Sequence, residues 1–373
     1  MNPIRSEIVA LIVCMLVLAG IHGCAQDKPI EIGFMAGLTG RVADLGVPGR
    51  NAALLAVERC NAGGGIHGRP VHLVIRDDGQ APATARQVVS ELIEQKLEVI
   101  IGPMTSSMAM ATIDQVNASS TLMVSPTVTT TALTGKDDNF IRVLDDTSAY
   151  ARKSANYQIK RLGHRKAVAI YDLNNKAYTE TWFQEFRQSY EALGGNLLLV
   201  RTYQSAADTV FFEMVKELLA TEPDLIVIVA SAVDAARICQ QVRKIDTAVA
   251  IAISEWASTE RFIELAGSAS EKVRTAQFFN RNDSSAAYQS FRQAYLARYG
   301  DAPGFAGVAA YDATQVVLEA MARRRQGKSL KETIIAIGEF QGLQQRIPID
   351  RFGDAQRTTF LTEVRDGQYR TLE

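Results

Sequence analysis

Beyond residue 29 the chain keeps one rhythm: a short apolar or β-branched run, a polar turn, then a segment with apolar residues at helical spacing. Runs at 30–34, 71–75, 99–101 and 122–124 alternate with helical patterns at 48–60, 82–94 and 108–116. Such alternation commits a chain to parallel strands joined by crossover helices, because parallel neighbours cannot be linked by a tight hairpin. The expected class is therefore α/β with doubly wound parallel sheets. Ligands of such sheets sit outside the carboxyl ends of the strands, so the residues at those ends decide what the chain can do.

The stretch 98–134 carries the same unit twice. Val99-Ile100-Ile101 ends in Gly102-Pro103, followed by Thr105, Ser106 and Ser107; about twenty residues later Leu122-Met123-Val124 ends in Ser125-Pro126, followed by Thr127, Thr129, Thr130 and Thr131. Each cluster opens on a helix N-terminus or tight turn, where hydroxyls and free backbone N–H groups can hold a carboxylate. One cluster alone could simply cap its helix. Two on successive strands point to a small-molecule binding site.

After Gly163 the rhythm restarts, with strands expected at 167–171, 197–201, 225–230 and 248–253 and helices between them. Each half of the chain thus carries its own sheet. Two further helices, 288–299 and 309–325, precede short strand-like pieces at 347–350, 360–365 and 368–372. That tail cannot bury a core alone and must complete an earlier lobe.

Several function classes find no support. Forty basic residues against 41 acidic ones give a net charge of −1, no field for a polyanion, so nucleic acid is not an expected partner. Gly63, Gly65 and Gly68 satisfy GxGxxG, but they lie between a helix and a strand, the reverse of a dinucleotide site, and read as a helix stop. Asp77 and Asp78, at a strand end, read as turn formers. Neither CxxC nor HExxH occurs, so no metal and no cofactor is expected. Without a GxSxG elbow or a P-loop, and with His67, His72 and His164 beside αβ turns, an enzyme is not expected.

Residues 1–24 read as an export signal: Arg5 precedes an apolar run of about fourteen residues, short of the ~20 that span a bilayer. Ile21-His22-Gly23-Cys24 resembles the bacterial lipobox, which makes Cys24 the lipidation candidate; cleavage after Ala25 is the alternative. Cys14 leaves with the signal, and Cys60 and Cys239, in different halves, are expected to be buried free thiols.

Leu38-Thr39-Gly40, Asn61-Ala62-Gly63-Gly64, Asp77-Asp78, Ile101-Gly102-Pro103 with Ser106-Ser107, Ser125-Pro126, Tyr299-Gly300-Asp301-Ala302-Pro303 and Tyr311-Asp312-Ala313 resemble the branched-chain amino-acid-type periplasmic binding proteins of ABC transporters. The resemblance implies a type I periplasmic binding fold: two doubly wound lobes joined by three crossovers, near 143–147, 275–280 and 340–345. Lobe 1 would comprise 29–143 and 277–341, and lobe 2 would comprise 144–276 and 342–373. It implies that Ser106, Ser107, Thr127 and Thr129 hold a ligand carboxylate, while Glu255 on the opposite lobe takes the ammonium and Trp256 walls the pocket. Tyr178 keeps a family position, with Thr179 where glycine is usual. Ser231 lies in a small-residue turn where leucine binders can place an aromatic ring, which suggests a different or bulkier ligand. The implied activity is solute capture for a membrane permease, by an extracytoplasmic, lipid-anchored monomer; a ligand sensor acting through a partner protein is the alternative.

Overall fold

The computed structural model describes residues 28–372; the export-signal and Cys24 readings lie outside the described residues. The first sheet is built from β1 (Ile30–Ala36), β2 (Val71–Asp77), β3 (Val99–Ile101), β4 (Leu122–Ser125) and β5 (Phe140–Arg142). Its order is β2-β1-β3-β4-β5, every pair parallel. Between these strands run α1 (Ala43–Ala62), α2 (Pro82–Glu94) and α3 (Ser106–Asn117). The second sheet takes β6 (Lys166–Asp172), β7 (Asn196–Tyr203), β8 (Leu225–Val229), β9 (Ala250–Ile253) and β10 (Arg274–Gln277), with α4 (Thr147–Lys160), α5 (Lys176–Ala192), α6 (Phe212–Leu219), α7 (Ala232–Ile245) and α8 (Glu260–Ala266).

The chain then returns to the first lobe. α9 (Ala286–Tyr299) and α10 (Gly304–Arg323) pack on α1, and α11 (Leu330–Ile337) packs on α10. A small hairpin, β11 (Glu339–Gln341) with β12 (Arg346–Pro348), leads to β13 (Phe360–Arg365) and β14 (Gln368–Thr371). These last two close the edge of the second sheet, whose order is β14-β13-β10-β9-β8-β6-β7. The tail thus completes an earlier lobe, but it pairs antiparallel, β13 on β10 and β14 on β13. The second sheet is mixed rather than wholly parallel. For the last pair the cause is local: Asp366 and Gly367, at φ of 52° and 67°, form a two-residue turn, which can only return β14 antiparallel to β13.

The strand ends that matter are held close to one another. Gly102, at φ +119°, follows β3 where an added Cβ would stand 2.0 Å from the Met35 carbonyl oxygen, so only glycine lets β3 turn off beside β1. Asp77 closes β2 by accepting from the backbone N–H of Leu38 and of Gly79, each at 2.8 Å, and from the Thr39 hydroxyl at 2.7 Å. The glycine-rich loop 63–68 ends α1 and reverses through an Ile66–Arg69 bridge into β2, as a helix stop should. Cys60 is half-buried and Cys239 buried, both free; burial pushes the Cys239 thiol up to about 12.

Three connections pass between the sheets, and one buried ion pair gathers them. Arg357 donates to Asp312 at 2.9 Å, both side chains being almost wholly buried. The other oxygen of Asp312 accepts from Leu343 N at 2.8 Å, Arg357 N donates to Asp145 at 2.6 Å, and the guanidinium stacks 4.6 Å from the Phe278 ring centroid. Asp145, Phe278 and Leu343 belong to the first, second and third connection in turn.

Candidate functional site

The carboxyl ends of β3 and β4 face those of β6 and β9 across a narrow, nearly closed cavity of about 20 Å³. From the first lobe come Ser106, opening α3, and Thr127 and Thr129, in the turn after β4; from the second come Asn175 and Tyr178, at the start of α5, and Glu255 and Trp256, in a 3₁₀ turn after β9. Leu144 and Phe278, on two of the connections, close the back, while Leu45, Met104 and Phe305 supply apolar wall.

The hydroxyls of the first lobe divide by what they already bind. Thr127 donates to the Met104 carbonyl at 2.6 Å, and Ser125 donates to the Pro103 carbonyl at 2.8 Å while accepting from Val128 N. These two tie the two turns together, and their protons are committed. Ser106 Oγ and Thr129 Oγ1 are buried with no partner at all. A buried hydroxyl without a hydrogen bond is costly unless something occupies it. Thr105, which should cap α3, turns its hydroxyl to Gln80 instead, at 3.0 Å. Thr105 therefore leaves the N-terminus of α3 without a cap of its own; one of its N–H groups, that of Ser107, is taken by Asn175, and the helix keeps its positive end beside Ser106.

Opposite stands a carboxylate in the same condition. Glu255 is 7% exposed; Trp182 Nε1 donates to its Oε2 at 2.9 Å, while Oε1 has no partner. Burial pushes the carboxyl up to about 7, against the pull of its own backbone N–H, of the neighbouring Tyr178 hydroxyl and of the Trp182 donor. No Lys, Arg or His is among the described residues that line the cavity, so the negative charge has no counter-ion there. Tyr178 meets Trp256 edge to face at 5.7 Å, and its hydroxyl accepts from Trp256 N at 3.4 Å, which fixes the wall beside the carboxylate.

Six residues anticipated from sequence, Ser106, Thr127, Thr129, Tyr178, Glu255 and Trp256, are thus brought to one cavity. Two are not. Ser107 lies just outside and bridges the lobes: its N–H donates to Asn175 Oδ1 at 3.0 Å and its Oγ accepts from Ala177 N at 3.4 Å. Ser231 is the N-cap of α7 and accepts from Asp234 N at 3.4 Å. Its turn does not line the cavity, so the small side chains there do not enlarge the space for a ligand. Trp182 was not anticipated. The available signal was its place four residues after Tyr178, on the same face of α5.

Three more contacts cross the cleft at its rim. Arg41, in the 3₁₀ turn Gly40–Val42, pairs with the buried Asp234 carboxylate and donates to Ser205 Oγ at 3.1 Å. Thr259 donates to Asp44 at 2.8 Å.

Comparisons with known proteins agree with this architecture. The family model described as periplasmic binding protein matches residues 29–368. The Leu/Ile/Val-binding protein BraC3 of Rhizobium johnstonii is 28% identical over 198 residues, 53% of this chain and 53% of that protein. The chain spans about half the length of the curated relatives it matches. Two solved structures share the fold. The branched-chain amino acid transporter substrate binding protein of Streptococcus pneumoniae, in complex with isoleucine, superposes with a TM-score of 0.85 at 24% identity, covering 92% of this chain and 99% of that one. The solute binding protein of an ABC transporter from R. palustris, in complex with benzoate, gives 0.83 at 20% identity, with 92% and 95% covered.

Proposed function

The chain belongs to the periplasmic binding protein family, and on that premise we propose that it captures an α-amino acid with an apolar side chain between its two lobes and hands it to an ABC transporter permease. One observation carries the reading: unpaired donors on one wall of the cavity, Ser106 Oγ and Thr129 Oγ1, face an unpaired carboxylate oxygen, Glu255 Oε1, on the other. Hydroxyls and a helix N-terminus complement a carboxylate, and a buried carboxylate without a counter-ion complements an ammonium. A ligand carrying both charges on one carbon satisfies both walls, and the apolar remainder of the lining takes its side chain.

Relatives bind leucine, isoleucine and valine by name, and a structural neighbour holds benzoate. Glu255 favours the amino acid, because an aromatic carboxylate leaves Oε1 without a partner. We propose the lobe divisions 29–143 with 277–341 and 144–276 with 342–373, hinged at the three connections. We further propose an extracytoplasmic monomer held to a membrane by Cys24. The deciding experiment is calorimetric titration with α-amino acids and with the matching carboxylates that lack the amino group. Tight binding of an apolar amino acid and at least a hundredfold loss for its desamino analogue, a modest figure for a site with a stranded polar group, is the expected result. Preference for the carboxylates would overturn the amino-acid reading.

A further inference from the structure

Glu255 is the charged residue of the cavity, yet what holds it lies outside the turn that bears it. Trp182, on α5 and completely buried, donates its indole N–H to Oε2 at 2.9 Å. Its ring stacks on Phe186 at 5.6 Å and 8°, and Phe186 on Tyr190 at 5.2 Å and 19°. This column of rings at i, i+4 spacing leaves the indole little freedom to turn. The Tyr190 hydroxyl fixes the far end by donating to the His164 carbonyl at 3.0 Å. Donor and acceptor sit on the same lobe, so parting of the lobes does not separate them.

A carboxylate bound by neither oxygen can rotate and offer either one. With Oε2 held, Oε1 is the oxygen left for a ligand. We propose that Trp182 is a positioning residue for ligand recognition: by holding Oε2 of Glu255 it presents Oε1 to the ligand's ammonium, so that selection for an amino group belongs to the Trp182–Glu255 pair. The proposal rests on the amino-acid reading and adds the residue that makes Glu255 selective.

The pair also sets a pH window. The titratable groups facing the carboxyl are two phenols, Tyr178 on α5 and Tyr150 on α4, both raised by burial first and by the Glu255 charge among others. No basic side chain is among the lining residues. The carboxyl sits at about 7 because burial raises it, and the indole N–H is one of the donors that hold it down. Loss of that donor lets the carboxyl rise further, so that more of it is protonated, and unable to bind an ammonium, at neutral pH.

The test uses the full chain. Titration with the twenty standard α-amino acids selects the tightest as the probe. Its affinity is then measured from pH 5.5 to 9 in wild type and in Trp182→Phe, which keeps a ring for the stack but has no N–H. Incorporation of 3-benzothienylalanine at 182, which keeps both rings and lacks only the N–H donor, covers the case in which phenylalanine melts too early. The Glu255 carboxyl ¹³C titration is followed in the same proteins. We expect about a tenfold loss of affinity at pH 7, the size of one charged hydrogen bond, shrinking toward pH 9, with the ¹³C midpoint displaced upward. In a Glu255→Gln background the 182 substitution should add less than twofold. Equal loss at every pH with an unmoved midpoint would overturn the role of Trp182 while leaving the amino-acid reading intact. Failure of every amino acid to bind would overturn that reading and this proposal with it.

Discussion

At the scale of the residue, the cavity wall holds three buried polar atoms with no partner among the described residues, Ser106 Oγ, Thr129 Oγ1 and Glu255 Oε1. Ser106 Oγ and Thr129 Oγ1 stabilise nothing in the protein as it stands. Ser106→Ala should therefore leave the melting temperature unchanged within a degree or so, yet cost ligand affinity about 1.5–3 kcal/mol, the usual size of a hydrogen bond to a charged group. A clear loss of stability together with unaltered affinity would make Ser106 a packing residue. Glu255 gives the opposite pairing of effects. Its carboxyl is raised to about 7 in the fold, so the stability it contributes is present at low pH and is lost as pH rises through that value. Glu255→Gln should then stabilise the ligand-free protein at pH 8 by on the order of 2 kcal/mol, with the gain fading below pH 6. The same substitution should weaken amino-acid binding by ~2–5 kcal/mol, because the ligand's ammonium loses its partner. Thermal melts at two pH values and one calorimetric titration check both halves. These residues were legible in sequence because hydroxyl clusters and an acid stand directly at strand ends, where chain position fixes spatial position. Trp182 and Ser231 were not, since which way a side chain leaves a helix depends on packing: Trp182 turns its N–H inward to Glu255, and Ser231 spends its oxygen on Asp234 N.

At the scale of the element, periodicity carried most of the fold and failed where pairing depends on a turn. The buried run of β8 and the helical repeats of α1 and α10 are visible as patterns because each has one dominant apolar requirement. The tail strands 360–365 and 368–372 were visible too, but the antiparallel return of the second on the first comes from the Asp366-Gly367 turn, which a strand pattern does not encode. Least visible was the set of contacts that hold the three connections together. Asp312 stands in a Tyr-Asp-Ala motif, while nothing in the neighbourhood of Arg357, 45 residues away, marks it. The pair is buried, and Arg357 Nε and Nη2 have no further acceptor, so its members depend on each other. Arg357→Met leaves Asp312 charged and buried with only the Leu343 N–H, and should destabilise the protein by roughly 3–5 kcal/mol. Arg357→Met combined with Asp312→Leu should recover much of that loss, since removing both charges removes the desolvation cost. Chemical denaturation of the single and double variants measures it; a double variant no more stable than the single one would show that the pair orders the connections by geometry rather than charge.

At the scale of the whole molecule, the proposed clamp makes one site of two half-sites only when the lobes meet, and on that reading the rim contacts bear on the equilibrium independently of any ligand. Arg41–Asp234, Arg41–Ser205, Thr259–Asp44 and Ser107–Asn175 all join the first lobe to the second. Their effects differ in sign. The Arg41 pair brings opposite charges together and favours the closed arrangement. Asp44 is pushed up to about 6 by burial between the lobes, with the Thr259 hydroxyl pulling it back, so an ionised Asp44 opposes closure and does so above pH 6. A ligand must supply the difference: its affinity is the intrinsic contact energy reduced by the cost of populating the closed state. Arg41→Ala removes a favourable rim contact without touching the cavity lining, and should therefore lower affinity by about 1–2 kcal/mol, between the worth of an exposed and a buried pair. Small-angle scattering supplies the independent reading. Ligand-free Arg41→Ala should be more expanded than ligand-free wild type, and the two should converge to the same compact radius at saturation. Lowered affinity with identical scattering in both states would show that Arg41 acts on binding other than through closure, and would leave ligand contacts as the sole driver of closure.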